Sequence, residues 1–251
     1  MYFQAGPPFF VLLLVVLVLL GLFIVLPVSL VATAFGKLGL TGAQGLAVFL
    51  LTLVGSRWNL PIYRSTRLVR GEPAPASRLF GFSGQFGRMR FGGDPFQAMR
   101  DDGLQLSEQT VAVNVGGCIV PCLLSAWFVW QMQAAGVLGA WLLLCVLIPA
   151  LACYLLARPM PGIGIGVPVL LPPAVAAMTA ILLAPDLPGH ESLAPRAAYM
   201  AGALGTLLGA DLAHLLNRRT LAMLDAPLLS IGGAGTFDGI FLAGIIAVLL
   251  A

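Results

Sequence analysis

Apolar residues run along this chain in long blocks separated by glycine, proline and short polar turns. Blocks at about 8–35, 42–56, 110–132, 138–157, 168–184, 195–217 and 229–250 approach or exceed the roughly 20 residues that a helix needs to cross a bilayer. None shows the two-residue alternation of a lipid-facing barrel strand. The pattern predicts an all-α fold: a polytopic transmembrane helical bundle of about seven spans, with segments broken by glycine and proline on one side. The longest polar stretch, 57–109, divides the chain into three parts. These are an N-terminal transmembrane hairpin (1–56), an arginine- and glycine-rich loop (57–109) and a five-span core (110–251) that carries the candidate site.

Composition agrees, with 59% hydrophobic and 9% charged residues against the roughly one-quarter charged residues of a soluble domain. The first block is longer than a cleavable leader, so it is expected to remain as an anchor. The loop holds Arg57, Arg64, Arg67, Arg70, Arg78, Arg88, Arg90 and Arg100, with a late acidic patch at Asp94, Asp101, Asp102 and Glu108. By the positive-inside rule it is cytoplasmic. Alternating the remaining spans then puts Arg158, Arg218 and Arg219 inside and Asp186, His190 and Glu191 outside, with Lys37 as the one discordant charge. The expectation is a multi-pass protein of a bacterial or archaeal inner (plasma) membrane, its N-terminus and long loop cytoplasmic. The net charge of +3 describes orientation more than an anionic partner, and no nucleic-acid signature is present. The expected partner is the lipid bilayer. Cys118 and Cys122 share a helical face and Cys145 and Cys153 lie on the next span, without CxxC or Cys/His metal spacing, so packing is their plainer reading. No metal or cofactor is implied.

Chemistry is concentrated in two aspartates inside apolar blocks, Asp211 and Asp238. A carboxylate carried into a membrane costs a few kcal/mol and needs a partner, a proton or a function. Asp211 is expected about six residues, or about 9 Å of helix rise, from the cytoplasmic end of its span. Asp238 follows Ser230-Ile231-Gly232-Gly233-Ala234-Gly235-Thr236, a poor helix start whose opened backbone survives only against protein or a water-filled cavity. The segment from Pro161 through Pro172 and Pro173 is similarly broken, and no regular helix is expected there before Pro173. Asn114 brings an amide to the same level, and His214 follows Asp211 at i+3, where the two share a face. Each has a plain alternative. Gly116, Gly117, Gly202, Gly205 and Gly209 suit close helix packing, Asn114 an interhelical clamp, and His214 an ordinary interfacial position.

If the two aspartates approach each other, they cannot both ionise in a low-dielectric site and must share a proton. That is the requirement of aspartyl protease chemistry, in which one carboxylate activates a water and the other polarises the scissile carbonyl. Gly233, Gly235, Thr236, Asn114, Pro172, Pro173 and His214 would line the substrate, an extended peptide adding as a strand.

Gly209-Ala210-Asp211, Thr236-Phe237-Asp238 and Pro173-Ala174-Val175 resemble the motifs of the intramembrane aspartyl proteases, the group that includes presenilin, signal peptide peptidase and the prepilin peptidases. That resemblance implies Asp211 and Asp238 as catalytic residues and a transmembrane-peptide substrate. A second resemblance covers most of the chain. Val113-Asn114-Val115-Gly116-Gly117, Gly164-Ile165-Gly166-Val167-Pro168, Gly209-Ala210-Asp211-Leu212 and the run from Gly233 to Phe241 look like a bacterial and archaeal membrane family catalogued as domain of unknown function 1614. It implies a polytopic inner-membrane protein and no particular activity. Two other function classes compete: a proton-coupled transporter or channel, which also uses broken helices and buried carboxylates, and a non-catalytic membrane assembly protein whose aspartates clamp helices.

Overall fold

The structure is a computed structural model that describes residues 7–70, 106–160, 164–187, 192–217, 220, 224, 228–233 and 239–251. Among them are seven principal helices: α1 (Pro7–Lys37), α2 (Gly42–Gly55), α3 (Val115–Ala134), α4 (Trp141–Leu156), α5 (Leu171–Leu183), α6 (Ala194–Leu216) and α7 (Gly239–Leu250). Three stretches, Val11–Lys37, Val115–Ala134 and Ala194–Leu216, are long and apolar enough to cross a membrane, and the other four helices are apolar but shorter. Leucines, valines and tryptophans cover the outer faces of α1 to α5, the surface that lipid would wet.

The helices pack around α6. Its Ala197, Ala198, Tyr199, Met200, Ala201 and Ala203 are fully buried, and Phe128 of α3 meets Tyr199 edge-on at 5.9 Å. Small residues set these contacts. A Cβ on Gly202 would stand 2.7 Å from the Ala243 carbonyl oxygen of α7, and one on Gly205 2.9 Å from Pro149 of α4. One on Gly209 would enter the Ala150 carbonyl. The packing reading of these glycines is therefore the one the structure supports.

Successive helices run in opposite directions, so the bundle has two distinct ends. At one end Lys37 Nζ donates to the carbonyls of Val248 (3.4 Å) and Leu249 (3.3 Å), and Arg196 Nε donates to the Leu38 carbonyl at 3.2 Å. Lys37, discordant by the charge rule, thus sits on the carbonyl-rich C-terminus of α7, where a cation is favoured. Lys37→Met is expected to lower stability by about 0.3–1 kcal/mol, read as a small drop in the thermal midpoint in detergent that shrinks further in high salt.

The other end carries β structure, which corrects the all-α expectation. β1 (Asn59–Arg70) pairs antiparallel with β2 (Leu106–Asn114), and β2 pairs parallel with β5 (Leu228–Ile231), giving a mixed sheet of order β1-β2-β5. A hairpin of β3 (Arg158–Met160) and β4 (Gly164–Gly166) lies between α4 and α5. The block at 110–132 is therefore a strand up to Asn114 and a helix afterwards. Thr110, Val111 and Val113 are β-branched, stiff at χ1 and suited to a ladder, and the apolar count alone did not register this. The block at 229–250 likewise opens as β5, and α7 begins only at Gly239. α5 starts at Leu171, earlier than expected, because prolines are tolerated in a first helical turn where their missing N–H has no partner to lose. The middle of the arginine-rich loop, 71–105, lies outside the described residues.

Candidate functional site

Asn114 ends β2 and caps α3. Its Oδ1 accepts from the Gly117 amide at 2.8 Å, one of the orphan donors of the helix start. Its Nδ2 donates to the Ser56 carbonyl at the end of α2 (2.7 Å) and to Asn59 Oδ1 at the start of β1 (3.0 Å). The same Asn59 oxygen accepts from Ser230 Oγ of β5 at 2.6 Å. One buried side chain, 1% exposed, therefore joins two helices and two strands, and through Asn59 reaches the third. These bonds are those of an interhelical clamp, the plain alternative to the substrate-lining role expected of Asn114.

This clasp explains a prediction of sign. Asn114→Ala is expected to cost about 2 kcal/mol or more, since it removes a cap and strands buried partners. Asn114→Asp keeps the acceptor for Gly117 but turns a carboxylate toward two further acceptors. It should be no better than alanine at neutral pH and should recover as the pH falls, when the protonated carboxyl can donate. Thermal unfolding in detergent across a pH series measures this.

Asp211 lies on a π-helical stretch of α6, Leu207–Leu212. Single widened turns of this kind are frequent at functional sites. Its Oδ2 accepts from the Gly232 amide at 2.7 Å. Gly232 has φ +92° and Gly233 φ +95°, so the chain leaves β5 through two left-handed residues, which only glycine adopts without strain. Gly232 is also wedged against α3, where a Cβ would lie 2.7 Å from the Cys118 amide nitrogen. Ser230 Oγ also lies 2.5 Å from the Gly233 carbonyl oxygen, so its one proton serves either that acceptor, closing the turn, or Asn59 Oδ1. Asp211 therefore ties the central helix to the end of β5.

His214 is 6% exposed, and its Nδ1 lies 3.1 Å from the Gly209 carbonyl oxygen. A carbonyl only accepts, so that ring nitrogen carries the proton. The ring also packs on Tyr154 of α4, with centroids 4.9 Å apart. Pro172 and Pro173 are buried in the first turn of α5, at the same end of the bundle as the sheet. Asp238, Gly235 and Thr236 lie outside the described residues.

Three residues at this junction escaped sequence reasoning as members of a site, Ser56, Asn59 and Gln109, while Ser230 and Gly232 were named only as part of a broken helix start. Gln109 is 1% exposed and its Nε2 donates to the Leu224 carbonyl at 2.9 Å. The signal that could have found them was present, since each is a polar or glycine residue bordering an apolar block. Among the described residues no group of three or more histidine, cysteine, aspartate or glutamate side chains could hold a metal ion.

Fold and junction together define a mostly helical protein with three helices long and apolar enough to cross a membrane and a β-capped polar junction at one end of its bundle. The family model of a protein family of unknown function, DUF1614, matches residues 53–250, and the chain belongs to that family. The match leaves out α1 and most of α2. No curated protein and no solved structure matches the chain. Nothing found in these comparisons supports the resemblance to the intramembrane aspartyl proteases.

Proposed function

We propose that this protein is an intramembrane hydrolase of the aspartyl type, acting on transmembrane peptides with Asp211 and Asp238 as its carboxylate pair. The observation that carries the reading is the bond from Gly232 to Asp211 at the end of β5. Among the described residues β5 is an edge strand of its sheet, the kind of edge to which an extended peptide backbone adds. Asp238 follows Gly232 by six residues, a tether of no more than about 22 Å when fully extended. A peptide paired along β5 would be carried toward both carboxylates. In the mechanism, the ionised carboxylate takes a proton from water as the water attacks the scissile carbonyl. The protonated partner donates to the carbonyl oxygen, and collapse of the tetrahedral intermediate expels the amine with a proton.

The same bond favours a second reading, a non-catalytic membrane assembly protein in which Asp211 only staples α6 to β5. A photoreactive, hydroxyl-isostere transition-state probe of aspartyl proteases separates the two. The hydrolase predicts specific labelling of purified wild type that disappears in both Asp211→Asn and Asp238→Asn. A folded wild type that takes no label overturns it.

A further inference from the structure

α3 and α6 border an apolar surface groove of about 530 Å³, lined by Cys122, Ser125, Trp130 and Gln133 of α3, by Leu138 of the segment that follows and by Leu204 of α6. Among the described residues that line it none is charged. Gln133 is exposed, whereas Ser125 is 2% exposed and its hydroxyl has no hydrogen-bond partner among the described residues. A serine or threonine inside a helix can return its proton to a carbonyl three or four residues back. Ser29, Thr33, Thr179 and Thr206 all do so, at 2.7–3.0 Å. Thr52, at the close crossing of α2 with α3, is a second exception. Ser125 alone of these hydroxyls combines a missing partner with a place on the groove wall.

Ser125 lies near the middle of the 20-residue span Val115–Ala134, about 15 Å of helix rise from its start. The ester carbonyls of bilayer phospholipids lie at the edges of a hydrocarbon core about 30 Å thick, so they do not reach it. Water is a poor occupant too, because a buried water needs several polar partners and this part of the groove offers one hydroxyl and a weakly bonding thiol. An unmet hydroxyl in hydrocarbon is costly, and the acceptor that meets it at least cost is a carbonyl, which has no proton of its own to leave unpaired. The volume falls in the range of small-molecule pockets, about 300–1,000 Å³, whereas a helix is about 10 Å across and rests on such a groove without filling it. We propose that the groove binds one neutral, lipid-soluble molecule drawn from the bilayer core, a hydrocarbon chain bearing a carbonyl. Ser125 Oγ donates to that carbonyl, and Trp130 and Leu204 flank the chain.

The test uses full-length protein in phosphatidylcholine nanodiscs, photolysed with a long-chain methyl ketone that carries a diazirine and an alkyne tag. A matched probe has a methylene in place of the carbonyl, and labelled peptides are identified by mass. The ketone is expected to label residues 122–133 about tenfold more than its methylene analogue, the difference that one hydrogen bond makes in an apolar site. Ser125→Ala should bring the ketone down to the level of the analogue and leave the analogue unchanged. Equal labelling of wild type by the two probes would mean partition of an apolar chain only and would overturn the proposal, as would an alanine variant that keeps the preference. Labelling of this face by a photoreactive transmembrane peptide and not by the ketone would assign the groove to a helix and equally overturn it. Thermal unfolding without ligand guards against a folding defect. Ser125→Ala removes a hydroxyl that has no partner, so its midpoint should equal or exceed that of wild type. A lower midpoint would show that the hydroxyl is already bonded within the protein, which also overturns the proposal.

Discussion

For the proposed hydrolase, Asp211→Asn is expected to leave the protein folded and to lower turnover by at least about a thousandfold, because a carboxylate pair works as a unit. The structural half of this follows from the Gly232 bond. An amide oxygen accepts from the Gly232 amide as a carboxylate oxygen does, so the thermal midpoint in detergent should change by less than the equivalent of about 1 kcal/mol. Asp211→Leu removes the acceptor and leaves a buried amide unpaired, which costs about 1–3 kcal/mol. The two variants therefore divide the roles of one side chain. Cleavage of a transmembrane peptide in detergent micelles, measured beside thermal unfolding, reads both. An Asn variant with wild-type turnover would mean that Asp211 acts only as an acceptor, and the assembly reading would take over. A variant pair in which Asn unfolds as badly as Leu would mean that the negative charge itself holds β5 in place.

Gly116→Ala should be among the most destabilising single changes in the described part of the chain, at about 3 kcal/mol or more. A Cβ there would enter the Thr52 carbonyl oxygen and the Ser56 amide, both backbone atoms of α2. Neither can move without breaking the helix or the Asn114 clasp that ends on Ser56. Gly209→Ala belongs to the same class, since its Cβ would enter the Ala150 carbonyl of α4. Gly21 is the control. Nothing lies within 4 Å of a Cβ there, so Gly21→Ala should change stability by less than about 1 kcal/mol. Thermal unfolding of the three variants in one detergent ranks them, and a Gly116→Ala protein as stable as Gly21→Ala would show that α2 and α3 do not cross as closely as described.

Much of the bundle was legible without coordinates. The blocks at 138–157 and 195–217 correspond to α4 and α6 within a few residues, because transfer from water is the dominant energy and it is nearly additive along a chain. Asn114 and Asp211 stood out for the same reason read in reverse, as polar groups that could not be left without partners. Their partners were not legible. Asn59 meets Ser230 across 171 positions and Asp211 meets Gly232 across 21, and hydrogen bonds of that kind depend on which chain ends the bundle gathers at one face. β-branched residues before Asn114 and Leu228–Ile231 look alike whether they continue a helix or pair in a ladder.

By itself, the sequence determined the membrane class, the positions of most apolar helices and the two side chains that most needed partners. Only the tertiary structure decided that the polar end is a small mixed sheet, that Asn114 is its clasp and that Asp211 holds the turn out of β5. Hydrophobic burial is a property each segment carries alone, whereas a hydrogen bond between distant segments exists only once packing has brought donor and acceptor within about 3 Å.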